Sequence, residues 1–246
     1  MSEPEVVTTS ERHDLDDEAR AAFQQNWPEF IFHDPLVADY IERVESYFPF
    51  YDVLLLDQGA VVAGGWGVPL AWDGIVGSLP EGGYDGAMVA AVTGYEESVQ
   101  PDTLCVMAAA VRRDRQGSGL AGQALMALRE RATNSGLERV IAPVRPSLKP
   151  RYPLTPMENF AGWSREDGLH LDPWIRTHQR LGATILGPAR DSMIIKGTVA
   201  EWQDWARMAF PESGRYVVPD ALDLVEIDIE RDRGTYSETN LWMRHV

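Results

Sequence analysis

The chain has 246 residues, 44% of them hydrophobic and 24% charged, which is ample for one large α/β domain and rules out a disordered or fibrous chain. Its formal net charge of −16 has the wrong sign for a surface that neutralises nucleic-acid phosphates or docks on an anionic membrane. A small, cationic, amine-bearing substrate suits that balance better. Cys105 is the one cysteine, so the sequence offers no internal disulfide and no Cys/His cluster with zinc spacing, and no metal is expected. No stretch reaches the roughly 18 apolar residues of a membrane span. Residues 1–16 are polar and acidic and lack the basic start and apolar run of a signal peptide, so the expected setting is cytoplasmic.

The chain opens with a short β-prone run, Val6-Val7-Thr8-Thr9, and a helical pattern over 15–25 that breaks at Trp27-Pro28. The next helix has a clear start, with Asp34 as cap and Pro35 in the first turn, and ends at Pro49. Runs 51–56 and 60–70 form a hairpin about Asp57-Gln58-Gly59. A helix over 84–98 follows a glycine-rich loop. Residues 103–111 are almost all apolar, as in a strand buried on both faces. Beyond 117 the period becomes helical, with Ala121, Ala124, Leu125, Leu128 and Ala132 on one face and Gly136 as C-terminal cap. Residues 139–144 form the next strand, so strand, helix and strand make a right-handed parallel crossover.

A long connection, 145–171, carries Thr155-Pro156-Met157-Glu158, which reads as a capping box. Asp172-Pro173 starts a helix that Gly182 closes. Residues 183–186 and 191–198 read as a hairpin about Gly187-Pro188. A helix near 201–208 and strands near 223–229 and 236–243 complete the chain.

The chemistry concentrates in Val111-Arg112-Arg113-Asp114-Arg115-Gln116-Gly117-Ser118-Gly119-Leu120-Ala121. A buried strand leads into this loop and a helix leaves it. The first helical turn has unpaired N–H groups and partial positive charge, and glycines let the backbone approach a diphosphate. The three arginines add cations that can reach further phosphates. Gly117, Gly119 and Gly122 spell G-x-G-x-x-G, while Gln116, Gly119 and Ala121 spell Q-x-x-G-x-A. In a dinucleotide site the glycines follow the first strand of a domain almost at once. Here polar and charged residues intervene after Val111, and a hairpin and helices come before it.

At this point the chain resembles the GNAT acyltransferase superfamily over roughly 5–198. The resemblance implies an α/β (α+β) fold with a mixed central sheet flanked by helices. Residues 1–198 would form the acyltransferase domain with an insertion at 145–171, and 199–246 a helix and strands packed on the same domain. It implies an acetyl-CoA-dependent N-acyltransferase in which a small amine attacks the thioester directly. The strand ending at Val111 would splay from the strand at 139–144, Ala109 and Val111 would pair with pantetheine, and Arg112, Arg113, Gln116, Gly117, Ser118, Gly119, Leu120 and Ala121 would hold the diphosphate. A backbone N–H of the splayed strand would hold the oxyanion. A non-catalytic acyl-CoA sensor with the same fold is the alternative.

Members of the superfamily often carry Tyr-x-x-x-Gly-Phe at the end of the second core helix, the tyrosine serving as acid to the departing thiolate. His178-Gln179-Arg180-Leu181-Gly182-Ala183 matches this with histidine for tyrosine and alanine for phenylalanine. A histidine titrating near 6.5 can protonate a thiolate at neutral pH, so His178 is the expected acid. No general base stands out. Glu158 and Asp172 are explained as capping residues, and Asp167 and His170 are unassigned. The connection 145–171, with Tyr152, Phe160 and Trp163, is expected to wall the acceptor pocket. The two late β-prone runs have no local partner, which prompts the expectation of a homodimer.

Overall fold

The computed structural model describes residues 4–245. In chain order the elements are β1 (Glu5–Thr8), α1 (Asp16–Phe23), α2 (Pro35–Tyr47), β2 (Asp52–Asp57), β3 (Ala60–Leu70), α3 (Gly83–Glu96), β4 (Thr103–Val111), α4 (Leu120–Asn134), β5 (Arg139–Val144), α5 (Met157–Phe160), α6 (Pro173–Arg180), β6 (Thr184–Gly197), α7 (Val199–Ala206), β7 (Gly214–Tyr216), β8 (Val225–Asp228) and β9 (Arg233–His245). Nine strands form one mixed sheet in the order β1-β2-β3-β4-β5-β9-β8-β7, with β6 also on β9. The α/β (α+β) class and helix-flanked mixed sheet therefore stand. Among the described residues only β4 and β5 run parallel, as the crossover through α4 requires.

Strand periodicity sorts the helices between the two faces. Leu54, Leu56 and Val61 pack with Leu15, just before α1, and Ala19 of α1, whereas Leu55, Val62 and Ala63 pack with Leu120 and Ala124 of α4. Gly64 meets Phe23 of α1, and two residues on, Trp66 meets Tyr84 of α3. So α1 and α3 share one face, with α2 packed on α3, and α4 lies on the other. Local capping acts where the sequence places it. Asp34 accepts from the Leu36 and Val37 amides, and Asp172 from those of Trp174 and Ile175.

The C-terminal half departs from expectation. Residues 183–198 form no hairpin. They are the single strand β6, irregular at 186 and near 190–192, and both halves pair with β9. A hairpin would have satisfied two short runs with each other, whereas β9 is long enough to pair with both. The other edge of β9 pairs with β5 over 241–245 and with β8 over 233–235. The late β-prone runs thus find their partners within the chain, which removes the reason for expecting a homodimer. Residues 199–246 lie against the rest of the chain through β9, which pairs with both β5 and β6. No capping box forms at 155–158, where α5 has no side-chain cap; Thr198 and Glu201 form one at the start of α7.

Buried polar groups secure this arrangement. The Tyr236 hydroxyl accepts from the Leu222 amide (2.9 Å) and donates to Glu238 (2.8 Å). Fully buried Lys149 donates to the Leu222 carbonyl (2.5 Å) and stands 3.7 Å from Asp223, joining the long connection to the C-terminal segment. Truncation at 198 would strip a partner from both β5 and β6. A 1–198 fragment is expected to lack near-ultraviolet circular dichroism and cooperative unfolding; a folded, monomeric fragment would contradict this architecture.

Candidate active site

The site begins where β4 and β5 part. Their pairing is confined to Thr103–Cys105 against Arg139–Ile141. Past this point β4 stays with β3 up to Val111, and β5 stays with β9 up to Val144. Each strand keeps its outer neighbour and gives up the inner one, leaving a fork in the middle of the sheet. On the β3 side, Trp66 faces Ala108 while Gly67 faces Val106, so Met107 is the extra residue of a β-bulge. A bulge interrupts the ladder and leaves a backbone group unpaired.

Beyond Val111 the chain makes a 3-10 turn over Arg113–Arg115 and enters α4 through Gly117 (φ 77°) and Gly119 (φ 86°). These left-handed conformations favour glycine. A Cβ at either would meet nothing within 4 Å, and no side chain caps α4, so the first-turn amides face open space. The fork and this cradle fit a pantetheine arm joined to a diphosphate. The arginines are more engaged than the sequence implied. Arg112 pairs with Asp114, Arg113 donates to the Gln25 carbonyl, and Arg115 pairs with Asp57. Gln116 donates to Asn26 (3.2 Å), and the Ser118 hydroxyl to the Arg115 carbonyl. Asn26 in turn reaches the Val111 carbonyl (3.3 Å). Ala109 lies in the part of β4 that has left β5.

His178 is 1% exposed on α6. Its Nδ1 lies 2.9 Å from Nε2 of His245, and its Nε2 has no partner. Burial, and next the adjacent imidazole, bring its pKa down to about 3. The ordinary value that made it a proton donor at neutral pH is therefore not kept, and the ring is neutral. Cys105 is buried, and burial pushes its thiol up, as suits a core residue.

A group that the sequence reading passed over lies on the α2–α3 face. Asp34 is 1% and Asp85 is 7% exposed, and the Asp34 charge acts on the Asp85 carboxyl. Asp34 Oδ2 and Asp85 Oδ1 have no hydrogen-bond partner, and two buried carboxyls that feel each other's charge disfavour the doubly ionised state. Burial first, then the Asp34 charge, push Asp85 up to about 8; burial also raises Asp34. Asp85 follows Tyr84, whose ring meets Trp66 (6.1 Å) beside the bulge. A polar chain continues from the Tyr84 amide to Ser192 (2.8 Å), Asn240 (2.7 Å) and Glu238 (2.8 Å), where Arg145 also binds. The signal for Asp85 was present in the sequence as a lone acid in the apolar run 83–92. Asp34 was masked by its role as a cap. A cleft of about 410 Å³ opens on the same face, lined in part by Glu81, Gly82, Arg190, Asp191 and Trp242; Trp242 stands opposite Pro143 in the diverging half of β5.

The connection 145–171 packs into the main core through Met157 and Phe160, and Tyr152, Trp163 and His170 gather around the Phe160 ring. His170 lies 2.9 Å from the Phe160 carbonyl and accepts from the Asp172 amide, and Asp167 accepts from the Leu169 amide. Glu158 caps nothing and pairs with Arg190 at the rim of the cleft.

A forked sheet with an open amide cradle at the helix after β4 defines an acyl-CoA-binding fold. The profile of the acetyltransferase (GNAT) family matches residues 12–155, and the chain belongs to that family. It is similar to the arginine N-acetyltransferase avaD of Aspergillus versicolor, with 27% identity over 89% of this chain and 84% of that protein. Among solved structures it resembles the GphF GNAT-like decarboxylase in complex with isobutyryl-CoA (TM-score 0.55, 16% identity, 100% of this chain and 99% of that one). It also resembles the loading GNATL domain of CurA from Lyngbya majuscula (TM-score 0.54, 19% identity, 75% and 86%). The chain is thus a GNAT-type N-acetyltransferase with an acyl-CoA co-substrate. No helix of the described residues is long and apolar enough to cross a membrane.

The acid pair makes stability depend on pH. Folded Asp85 holds its proton up to about pH 8, whereas the unfolded side chain releases it near its ordinary 3.8. Between these values the native state binds more protons, so stability falls as pH rises. Denaturant titrations at pH 5 and pH 8 are expected to show this fall in the wild type and a flatter response in Asp85→Asn.

Proposed function

We propose that the chain transfers an acetyl group from acetyl-CoA to the amine of a small cationic substrate of the arginine class. The observation that carries this reading is the buried Asp34–Asp85 pair on the face above the fork. An ammonium must lose a proton before it can act as a nucleophile. A carboxyl pair that shares one proton still has one acceptor to offer. The relative that acetylates arginine and the acidic chain support the same substrate class.

When bound, acetyl-CoA supplies a thioester carbonyl open to direct attack. In this reading Gly117, Ser118, Gly119, Leu120 and Ala121 offer amides to the diphosphate, with Gln116 beside them. Arg112 and Arg113 exchange their present partners for phosphate oxygens. The free edge of β4 at Ala109 and Val111 pairs with the pantetheine amides. The backbone amide released at the Met107 bulge serves the oxyanion. Asp34 and Asp85 receive the ammonium proton, and the second proton of the attacking nitrogen leaves with the departing sulfur as the carbon–sulfur bond breaks. His178, held neutral, contributes a hydrogen bond from Nε2 to the sulfur rather than a proton from an imidazolium.

Thiol release from acetyl-CoA with L-arginine, agmatine and an uncharged amine tests the substrate class. The guanidino amines are expected to exceed the uncharged amine in kcat/KM by at least about tenfold. Equal rates, or no release above background with any amine, would overturn the reading. Gly119→Val places a β-branched side chain where φ is positive and fills the open cradle. It is expected to raise KM for acetyl-CoA by about tenfold or more, measured by the same assay.

A further inference from the structure

We propose that His245 is a positioning residue that holds His178 in the tautomer carrying its hydrogen on Nε2. The inference rests on the reading of His178 as the group that meets the departing sulfur. His245 stands opposite Val140, one residue before Ile141, the last residue of β5 still paired with β4. The strand that closes the sheet thus delivers an imidazole to the depth at which the fork opens. Its Nε2 lies 2.9 Å from His178 Nδ1, and the two residues are 6% and 1% exposed. The Trp174 ring stands 4.3 Å from that of His178, and Arg129 of α4 lies beside His245. Burial brings His245 down to about 4, so both rings are neutral at physiological pH.

Two neutral imidazoles in contact share one hydrogen, and two arrangements exist. His178 can donate from Nδ1, which leaves its Nε2 as a bare acceptor. Alternatively, His245 donates from Nε2, His178 accepts at Nδ1, and the hydrogen of His178 sits on Nε2. A departing thiolate is an acceptor and can bond only to the second arrangement. The unpartnered, enclosed Nε2 of His178 is then a donor awaiting an acceptor. The hydrogen bond at one ring nitrogen sets the state of the other, and here His245 supplies that bond.

Nitrogen-15 NMR of the imidazoles tests the tautomer in the wild-type protein without reference to activity. The expected spectrum has His178 protonated at Nε2 and bare at Nδ1; the reverse assignment would overturn the proposal. In kinetics, His245→Leu is expected to lower kcat about tenfold, the size of one hydrogen bond withheld from the leaving group, with KM for acetyl-CoA changed less than about twofold. His245→Gln keeps an N–H donor near the place of Nε2 and is expected to restore kcat to within about threefold of wild type. An unchanged kcat in His245→Leu, or equal losses in the Leu and Gln variants, would also overturn the proposal. An unchanged kcat in a folded His178→Phe would instead remove the role of His178, a failure that the tautomer measurement keeps distinct.

Discussion

The structure depends on one exchange of backbone partners. β5 can leave β4 because β9 pairs with all of 140–144 along its other edge. Backbone N–H and C=O groups left unpaired away from water are costly, so a fork inside a sheet is stable only when each tine is secured from outside. β3 does this for β4, and β9 does it for β5. The gap for an extended acyl carrier is therefore built by strands that do not line it.

The two faces of the fork divide the work. On the α4 side lie the amide cradle and the buried imidazole pair that α6 and β9 bring together. On the α2–α3 side lie the carboxyl pair, the cleft bounded by Glu81 and Asp191, and the polar chain from Ser192 to Glu238. In the proposed function, the acyl carrier and the amine approach from opposite sides and meet at the bulge. Glu238 is fully buried but receives Arg145, Tyr236 and Asn240, so its charge is spent on holding β9 in place. Asp34 and Asp85 receive no such donors at one oxygen each, and this sets them apart from the rest of the network.

What could be read from the sequence follows the range of the forces involved. The cradle was legible because glycine conformations and helix caps act within a few residues. Strands β2 to β5 were legible from apolar runs and turn chemistry. The partnership of β6 with β9 was not, because it joins residues as far apart as Thr184 and Arg244, and a Gly-Pro at 187–188 resembles a turn whether the chain folds back or merely bulges. Glu158 illustrates the same limit, since its spacing suits a capping box but Arg190 takes its carboxylate. His178 was singled out by position, but the burial that keeps its ring neutral was not legible, because that depends on how deeply the helix packs.

The pairing of Val140 with His245 also has a consequence for the birth of the protein. Translation delivers β5 about a hundred residues before the strand that secures it (140 against 245). Such distant contacts slow folding, because a long loop must close before they form. During synthesis β4 and β5 can associate only through their short parallel stretch, with β5 exposing an open edge to solvent or to other nascent chains. The feature that gives the mature enzyme its gap makes the half-made chain a natural client for chaperones.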